Sequence, residues 1–263
     1  MANTIDVYGD ESTFVRMVER DIVDYVDDVV NIIRSCAFQS CSSLVSVNLP
    51  AVTEIKPSAF RECSSLTYVS LPMVTSVGYS AFGLCASLTN INLPVASGIM
   101  QNTFQSCSSL VSVNLPAAIP IGERAFQSCS SLVIVSLPVA NAIGVGAFSG
   151  CLSLANISIP TATKIAGSAF TSCKSLTNIS LPMVSSLGAY AFYSCTSLAS
   201  VFLLSTSVCQ LAGSNVFQIT PMVYSSYIGH FGSIYVPSSL VDAYKSATNW
   251  TYYADRITAY TGE

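Results

Sequence analysis

The chain has 263 residues, of which only 9% are charged, and its formal net charge is −4. Residues 1–28 hold eight acids against two bases, whereas residues 29–198 hold six bases against three acids. The sequence therefore predicts no basic surface for nucleic acid. Ser, Asn, Gly and Pro interrupt every apolar run before it reaches the ~18 residues of a spanning helix, so we expect no membrane insertion either.

The first 36 residues are predicted to form an N-terminal cap. They show no secretory signal, because a basic region followed by an apolar region is missing. Apolar residues on one side predict a short helix from Glu11 to Arg20. Residues 22–36 predict a degenerate first coil, because Val30 and Ile33 lie 22 residues before Val52 and Ile55 of the repeat that follows.

Aspartates are concentrated in this cap. Asp21, Asp24, Asp27 and Asp28 are expected to form a solvated edge that discourages end-to-end stacking. The alternative is a calcium site built from the last three of these carboxylates. Because the spacing lacks a loop glycine and a suitably placed bidentate glutamate, the sequence favours the solvated edge and predicts no metal.

A 22-residue period runs without interruption through residues 37–204. A phenylalanine opens each of eight units, a cysteine follows three positions later and a leucine three positions after that. The phenylalanines are Phe38, Phe60, Phe82, Phe104, Phe126, Phe148, Phe170 and Phe192. Such a period predicts a solenoid in which each coil packs only on its neighbours. Alternating residues predict one strand per coil, a proline ends most of these strands, and Ala191-Phe192 and its equivalents predict a tight helical turn.

The cysteine column predicts buried, reduced thiols. Equivalent residues in stacked coils lie ~4.8 Å apart, but their side chains point the same way, whereas a disulfide needs them to face each other. Metal binding is disfavoured because the sequence has no Cys-x-x-Cys spacing. Cys36 and Cys209 lie outside the column, and both are predicted to be more reactive than the column thiols.

The repeat closely resembles the BspA-like leucine-rich repeat. The unit Cys-Lys-Ser-Leu-Thr-Asn-Ile-Ser-Leu-Pro-Met-Val-Ser-Ser-Leu-Gly-Ala-Tyr-Ala-Phe, residues 173–192, follows an Ala-Phe at residues 169–170. Together they have the Ala-Phe-x-x-Cys-x-Ser-Leu pattern of that family and its Leu-Pro at the end of the strand, and residues 37–203 follow this pattern copy after copy. The resemblance implies an α/β leucine-rich repeat solenoid, right-handed and curved, with a parallel sheet on its concave side and short helical turns. It also implies a bacterial surface or prophage-borne protein without enzymatic activity or cofactor.

Residues 205–263 are predicted to form a C-terminal cap. Ser233–Pro237 has the pattern of a strand, and Ser238 or Ser239 is placed to cap a helix that runs through Tyr244. The aromatic residues that follow are expected to cover the last coil. A sharper hypothesis is a glycan or protein site in the preceding loop, at Tyr224, Tyr227, His230 and Phe231, where the repeat no longer dictates residue identity.

The outward strand positions of the repeat form two rows of mostly neutral, hydrogen-bonding side chains. Their candidate binding residues are Tyr68, Asn90, Asn92, Asn114, Ile134, Asn156, Asn178 and Phe202. We expect a non-enzymatic binding or adhesion module that presents this concave surface to a protein or glycan. A simpler explanation is that Ser and Asn only keep the strands soluble, since surface without large apolar patches is uninformative.

Catalysis is not predicted, because the single histidine has no evident partner and the sequence has no phosphate-binding glycine loop. We expect a monomer at the cell surface or in secreted form. The alternative is a structural spacer or tip component of a prophage tail or surface assembly, located in a phage particle.

Overall fold

The computed structural model describes residues 23–223 and 232–262, together with the backbone of three short strands that precede them. The predicted solenoid is confirmed: parallel strands from successive coils stack into about ten turns. Each regular coil contributes a three-residue strand to one side of the stack and, with one exception, a two-residue strand to a second side. We call these sides sheet 1 and sheet 2.

The strands of sheet 1 are Asp24–Val26, Ser46–Asn48, Tyr68–Ser70, Asn90–Asn92, Ser112–Asn114, Ile134–Ser136, Asn156–Ser158, Asn178–Ser180, Ser200–Phe202, Ser233–Pro237 and Ile257–Tyr260. They form two ladders, one of seven strands that ends at Asn156–Ser158 and one of four strands that begins at Asn178–Ser180. Paired residues of the regular coils are 22 positions apart, as in Ser46 and Tyr68.

The strands of sheet 2 are Thr13–Phe14, Ile32–Ile33, Glu54–Ile55, Ser76–Val77, Pro120–Ile121, Ala142–Ile143, Lys164–Ile165, Ser186–Leu187 and Gln210–Leu211. This sheet is interrupted after Ser76–Val77, and Ile99 joins it only through a single bridge to Ile121. Pro120 opens the next strand and has no amide hydrogen to donate, so this ladder lacks one of its hydrogen bonds.

A stack of phenylalanine rings runs through the core. Nine rings, from Phe38 to Phe217, lie with neighbouring centroids 4.8–5.5 Å apart and planes within 12° of parallel. Tyr25 contacts the first ring edge-on, and Tyr253 contacts the last ring in the same way. Both contact geometries are favourable for aromatic pairs, so one continuous aromatic column links the first coil to the C-terminal segment.

The segments around these phenylalanines are turns, and this corrects the helical turns that the sequence predicted. In the coil of Phe60, Ser58 has a φ of 58° and Glu62 a φ of 65°, and equivalent positions in the other regular coils are also left-handed. A helix needs negative φ at each residue, so it cannot pass through these two positions. The turn instead directs the amides of Ser58, Phe60 and Glu62 to carbonyls of the next coil, at 2.8–2.9 Å.

Seven of the column thiols donate hydrogen bonds between coils. Each Sγ from Cys63 to Cys195 lies 3.0–3.2 Å from the carbonyl oxygen of the phenylalanine that begins the preceding unit. Burial raises the pKa of the Cys85 and Cys129 thiols to about 12 and raises that of Cys107 well above its usual value. These thiols are therefore neutral donors that fill core space.

The helix predicted from Glu11 to Arg20 is wrong where the structure describes that segment. Thr13–Phe14 is a strand that pairs with Ile32–Ile33 of sheet 2, and Arg16–Met17 pairs antiparallel with Ile5–Asp6. The open edge of the first coil offers backbone partners to this segment. Such tertiary pairing overrides a helical pattern in a short sequence.

The C-terminal segment closes the last coil with a strand pair and helical turns. Ser233–Pro237 and Ile257–Tyr260 extend sheet 1 in parallel. Between them lie a 3-10 helix at Ser238–Leu240, an α-helix at Val241–Ser246 and a second 3-10 helix at Thr251–Arg256. The predicted serine cap is wrong, because Ser238 and Ser239 lie inside the first 3-10 helix and neither caps it.

Three buried aromatic side chains of this segment replace the backbone of a further coil. The Tyr244 hydroxyl accepts a hydrogen bond from the Cys209 amide at 2.9 Å, and the Trp250 indole donates to the Cys209 carbonyl at 2.6 Å. The Tyr253 hydroxyl accepts from the Phe217 amide at 3.3 Å. A buried backbone group without a partner is costly, so these side chains stabilise the end of the solenoid.

We expect the thiol column to make the fold sensitive to alkali. A thiol ionises near pH 9 in the unfolded chain but only near pH 12 at Cys129 in the folded chain. Between these pH values the unfolded state binds fewer protons, so the free energy of unfolding should fall as pH rises, by ~1.4 kcal/mol per pH unit for each such thiol. Urea unfolding at pH 7 to 10 measures this slope.

The matched variants for this slope are Cys129→Ala and Cys36→Ala. Cys129→Ala should make the fall in unfolding free energy with pH less steep by the contribution of one buried thiol, ~1.4 kcal/mol per pH unit. Cys36→Ala should leave the slope unchanged, because Cys36 is exposed. Equal slopes for the wild type and Cys129→Ala above pH 9 would contradict the prediction.

Tyr244→Phe should destabilise the last coil by about 1–3 kcal/mol, because it leaves the buried Cys209 amide without its acceptor. Tyr252→Phe is the control, since Tyr252 is 60% exposed and should tolerate the loss of its hydroxyl. Urea denaturation of both variants measures the difference. Equal stabilities would show that the tyrosine hydroxyl does not cap the stack.

Candidate binding surface

The outward positions of sheet 1 form one continuous surface, which we call the front face. It has two rows, since alternate strand residues point to the same side. The first row is Ser46, Tyr68, Asn90, Ser112, Ile134, Asn156, Asn178 and Ser200, and the second is Asn48, Ser70, Asn92, Asn114, Ser136, Ser158, Ser180 and Phe202. These two rows, from Ser46 to Phe202, contain no charged side chain, and the residues between the rows, such as Val47 and Val113, are buried.

The candidate residues of the front face lie where the strand pattern placed them. The side chains of Tyr68 and Ile134 are 59% and 52% exposed. The candidates that are exposed asparagines are Asn90, Asn92, Asn114, Asn156 and Asn178. The register brings Asn90, Ser112 and Ile134 side by side, and the Ser112 hydroxyl donates to Asn90 Oδ1 at 3.3 Å. Whether these residues bind a partner stays a prediction.

A cleft interrupts the front face where the two ladders of sheet 1 separate. Ile157 is only partly buried, in contrast to the equivalent Val135 and Ile179. The cleft has a volume of about 330 Å³. Its lining includes the outward side chains of Ile134, Asn156, Ser158, Asn178 and Ser180. The front face is therefore not uniform, because the cleft makes this part of it concave.

An aromatic cluster lies beside the cleft at the C-terminal end of the front face. The Phe202 and Tyr235 rings stack with centroids 4.7 Å apart and planes 10° from parallel. Tyr260 contacts Phe202 edge-on at 5.9 Å. Sequence analysis selected Phe202 but missed the two tyrosines. The alternation in Ser233–Pro237 could have identified Tyr235 as outward, whereas the position of Tyr260 depends on the pairing of a strand that lies outside the repeat.

The four candidates of the C-terminal loop, Tyr224, Tyr227, His230 and Phe231, lie outside the described residues. Asp27, one of the three aspartates of the calcium alternative, has a structural role. Asp27 Oδ1 accepts hydrogen bonds from the amides of Val29 and Val30, and Oδ2 accepts one from the Tyr25 hydroxyl. In the described part of the chain, no three or more His, Cys, Asp or Glu side chains come together in a way that could hold a metal ion.

The two cysteines outside the column differ from each other. Cys36 is exposed, as a reactive thiol must be. The prediction for Cys209 is wrong, because Cys209 is fully buried under the aromatic cap and its burial raises the pKa of the thiol to about 12. The nucleophile in thiol chemistry is the thiolate, so Cys209 is inert in the folded chain.

We expect Cys36 to react with a maleimide or aromatic disulfide reagent within minutes in the native protein, while the column thiols and Cys209 stay protected. Denaturation should then expose all ten cysteines of the chain. Peptide mapping after alkylation identifies the modified residue. Fast native labelling of Cys209, or a total of four or fewer thiols after denaturation, would contradict this prediction.

The repeat, the fold and the front face agree with a family that the sequence comparison identifies directly. The family model of the BspA-type leucine-rich repeat region, which spans six copies, matches residues 31–144 and 120–235. The chain belongs to this family. Its members are non-catalytic repeat proteins, and leucine-rich repeat proteins generally serve as protein-interaction or surface modules. No curated protein matches the sequence.

The chain is also similar to solved structures. The leucine-rich repeat protein of T. pallidum is 30% identical, with a TM-score of 0.59 over 62% of this chain and 82% of that protein. A leucine-rich cell surface protein of Faecalibacterium prausnitzii is 19% identical, with a TM-score of 0.41 over 94% of this chain and 91% of its own. The pneumococcal vaccine antigen PcpA is 16% identical, with a TM-score of 0.46 over 88% and 69%. No helix of the described residues is long and apolar enough to span a membrane.

Proposed function

We propose that this chain is a non-enzymatic binding module that uses the front face to contact a protein or a glycan. The single observation that carries the proposal is the placement of large apolar side chains among the exposed polar residues of the front face. Tyr68 and Ile134 occupy positions where the neighbouring coils have Asn or Ser, and neither contributes to the core. The repeat itself therefore requires neither apolar side chain at these two positions.

The chemistry of the front face supports contact with an uncharged partner surface. Between Ser46 and Phe202 the two rows offer amides and hydroxyls, which both donate and accept hydrogen bonds. Aromatic side chains with little conformational freedom supply contact area at low entropic cost. These two elements together are typical of surfaces that bind through many modest contacts.

The proposal extends to location and assembly. We place the protein at the cell surface or in secreted form, and we expect a monomer, since the C-terminal aromatic cap closes the last coil. The alternative, a spacer or tip component of a prophage tail or surface assembly, gains no support from the comparisons.

A printed array of glycans and host-matrix proteins tests the proposed function. We expect binding that weakens at least about tenfold, or about 1.4 kcal/mol, when Tyr68→Asn, Ile134→Asn and Phe202→Ser are combined. Each change introduces the residue found at the same position of an adjacent coil, namely Asn90, Asn156 and Ser180. The fold should therefore tolerate the three changes.

The control variant combines Tyr79→Gln and Leu84→Ser, which alter exposed apolar residues outside the front face and also copy the adjacent coil. Its binding should equal that of the wild type. If the front-face variant keeps its binding, the front face is not the site, and the loop with Tyr224, Tyr227, His230 and Phe231 becomes the candidate.

A further inference from the structure

We infer that the cleft of the front face is a subsite for a neutral sugar ring of a glycan chain. This inference deepens the proposed function, on which it rests, by naming one partner class and one location. It starts from the cleft of about 330 Å³ where the ladders of sheet 1 separate, and from the aromatic ring of Phe202, which the register pairs with Ser180 of the cleft lining.

The Phe202 ring lies one coil beyond the cleft lining. Register places Phe202 between Ser180 on one side and Tyr235 on the other. The ring stacks on Tyr235, so its opposite face is turned toward the row position of Ser180, where the side chain is too small to cover it. Ser180 lines the cleft. The negative face of an aromatic ring attracts polarised C–H groups, and these line the face of a pyranose ring.

The polar lining of the cleft matches sugar hydroxyls. Asn156 and Asn178 are both exposed, and within the described residues the side-chain amide of Asn156 makes no hydrogen bond. The Asn178 amide donates to Thr177 Oγ1 at 3.2 Å, which leaves its carbonyl oxygen as an acceptor. Ser158 and Ser180 add two hydroxyls. An amide and a hydroxyl each combine a donor with an acceptor, as vicinal sugar hydroxyls do.

Charge and area favour an uncharged glycan over other partners. The front face has no Lys, Arg or His from Ser46 to Phe202, so it offers no counter-ion for a sulfated or uronic acid chain. A stable protein interface buries ~800 Å² per partner around an apolar core. The cleft is lined by only nine residues, four of them aliphatic (Ile134, Val135, Ile157 and Ile179) and five of them asparagine or serine, so it is too small for such an interface. Successive rows repeat every ~4.8 Å, a spacing comparable to the length of one pyranose unit, so a chain can run along the solenoid axis.

Isothermal titration with neutral hexasaccharides tests the subsite. The probes are maltohexaose, cellohexaose, laminarihexaose and mannohexaose, with heparin hexasaccharide as the charged comparison. We expect at least one neutral probe to bind and heparin hexasaccharide not to bind. Phe202→Ser should weaken binding of the neutral probe about tenfold, and the pair Asn156→Ala and Asn178→Ala should do the same while leaving the aromatic cluster in place.

Tyr79→Gln is the matched control, because it removes an exposed aromatic ring that lies outside the front face and should change the dissociation constant less than twofold. The inference is wrong if no neutral probe binds at millimolar concentration, if Phe202→Ser binds like the wild type, or if Tyr79→Gln weakens binding as much as Phe202→Ser. A protein ligand on the array whose binding depends on Tyr68 and Ile134 would overturn the glycan inference and leave the proposed function standing.

Discussion

The structure depends on hydrogen bonding between coils. A coil that has only two- and three-residue strands cannot form all its backbone hydrogen bonds within itself, so its amides and carbonyls must bond to the next coil. The turn around Phe60 shows the consequence, because three amides within five residues bond to the following coil. Two left-handed residues aim these amides, which is why the turn cannot become a helix. A coil of another length can keep these bonds only if its extra residues lie outside the bonded turn, as in the coil between Phe192 and Phe217, where the Phe192 and Ser194 amides still bond to Val216 and Gln218 at 2.9 Å.

The same constraint decides what must happen at the ends. After the last regular coil, the amide and carbonyl of Cys209 have no further coil to bond with. Tyr244 and Trp250 supply one acceptor and one donor, and their rings cover the apolar surface that the stack would otherwise expose. Tyr253 combines an edge-on contact to Phe217 with a hydrogen bond to its amide. The cap therefore imitates a coil in its bonding pattern although it shares none of the repeat sequence.

Sequence analysis predicted the parts of the fold that follow from repetition and failed where a segment takes its structure from a distant one. The inward and outward positions of sheet 1 follow from alternation, so Tyr68 and Ile134 were placed correctly on the surface. Cys209 looked like an outlier with a free thiol, and only the return of the chain near Trp250 explains why it is buried. The segment around Phe14 has a helical pattern, but the open edge of the first coil pairs with it as a strand. The cleft beside Asn156 could not be predicted from the sequence either, because its coil has the same sequence pattern as its neighbours.

Repetition also separates residues that stabilise from residues that are free to bind. Where all coils carry the same residue, as in the Phe and Cys columns, the packing and the hydrogen bonds described above account for its identity. At the outward strand positions the coils differ, and substitution between coils provides variants that the fold already accepts. Phe202 is informative for this reason, because Ser180 and Ser158 fill the equivalent position in the two preceding coils. The regular coils do without an aromatic ring at this position, and Phe202 instead packs on Tyr235 and Tyr260 of the C-terminal segment, so a binding measurement on Phe202→Ser has to be read together with the stability of that variant.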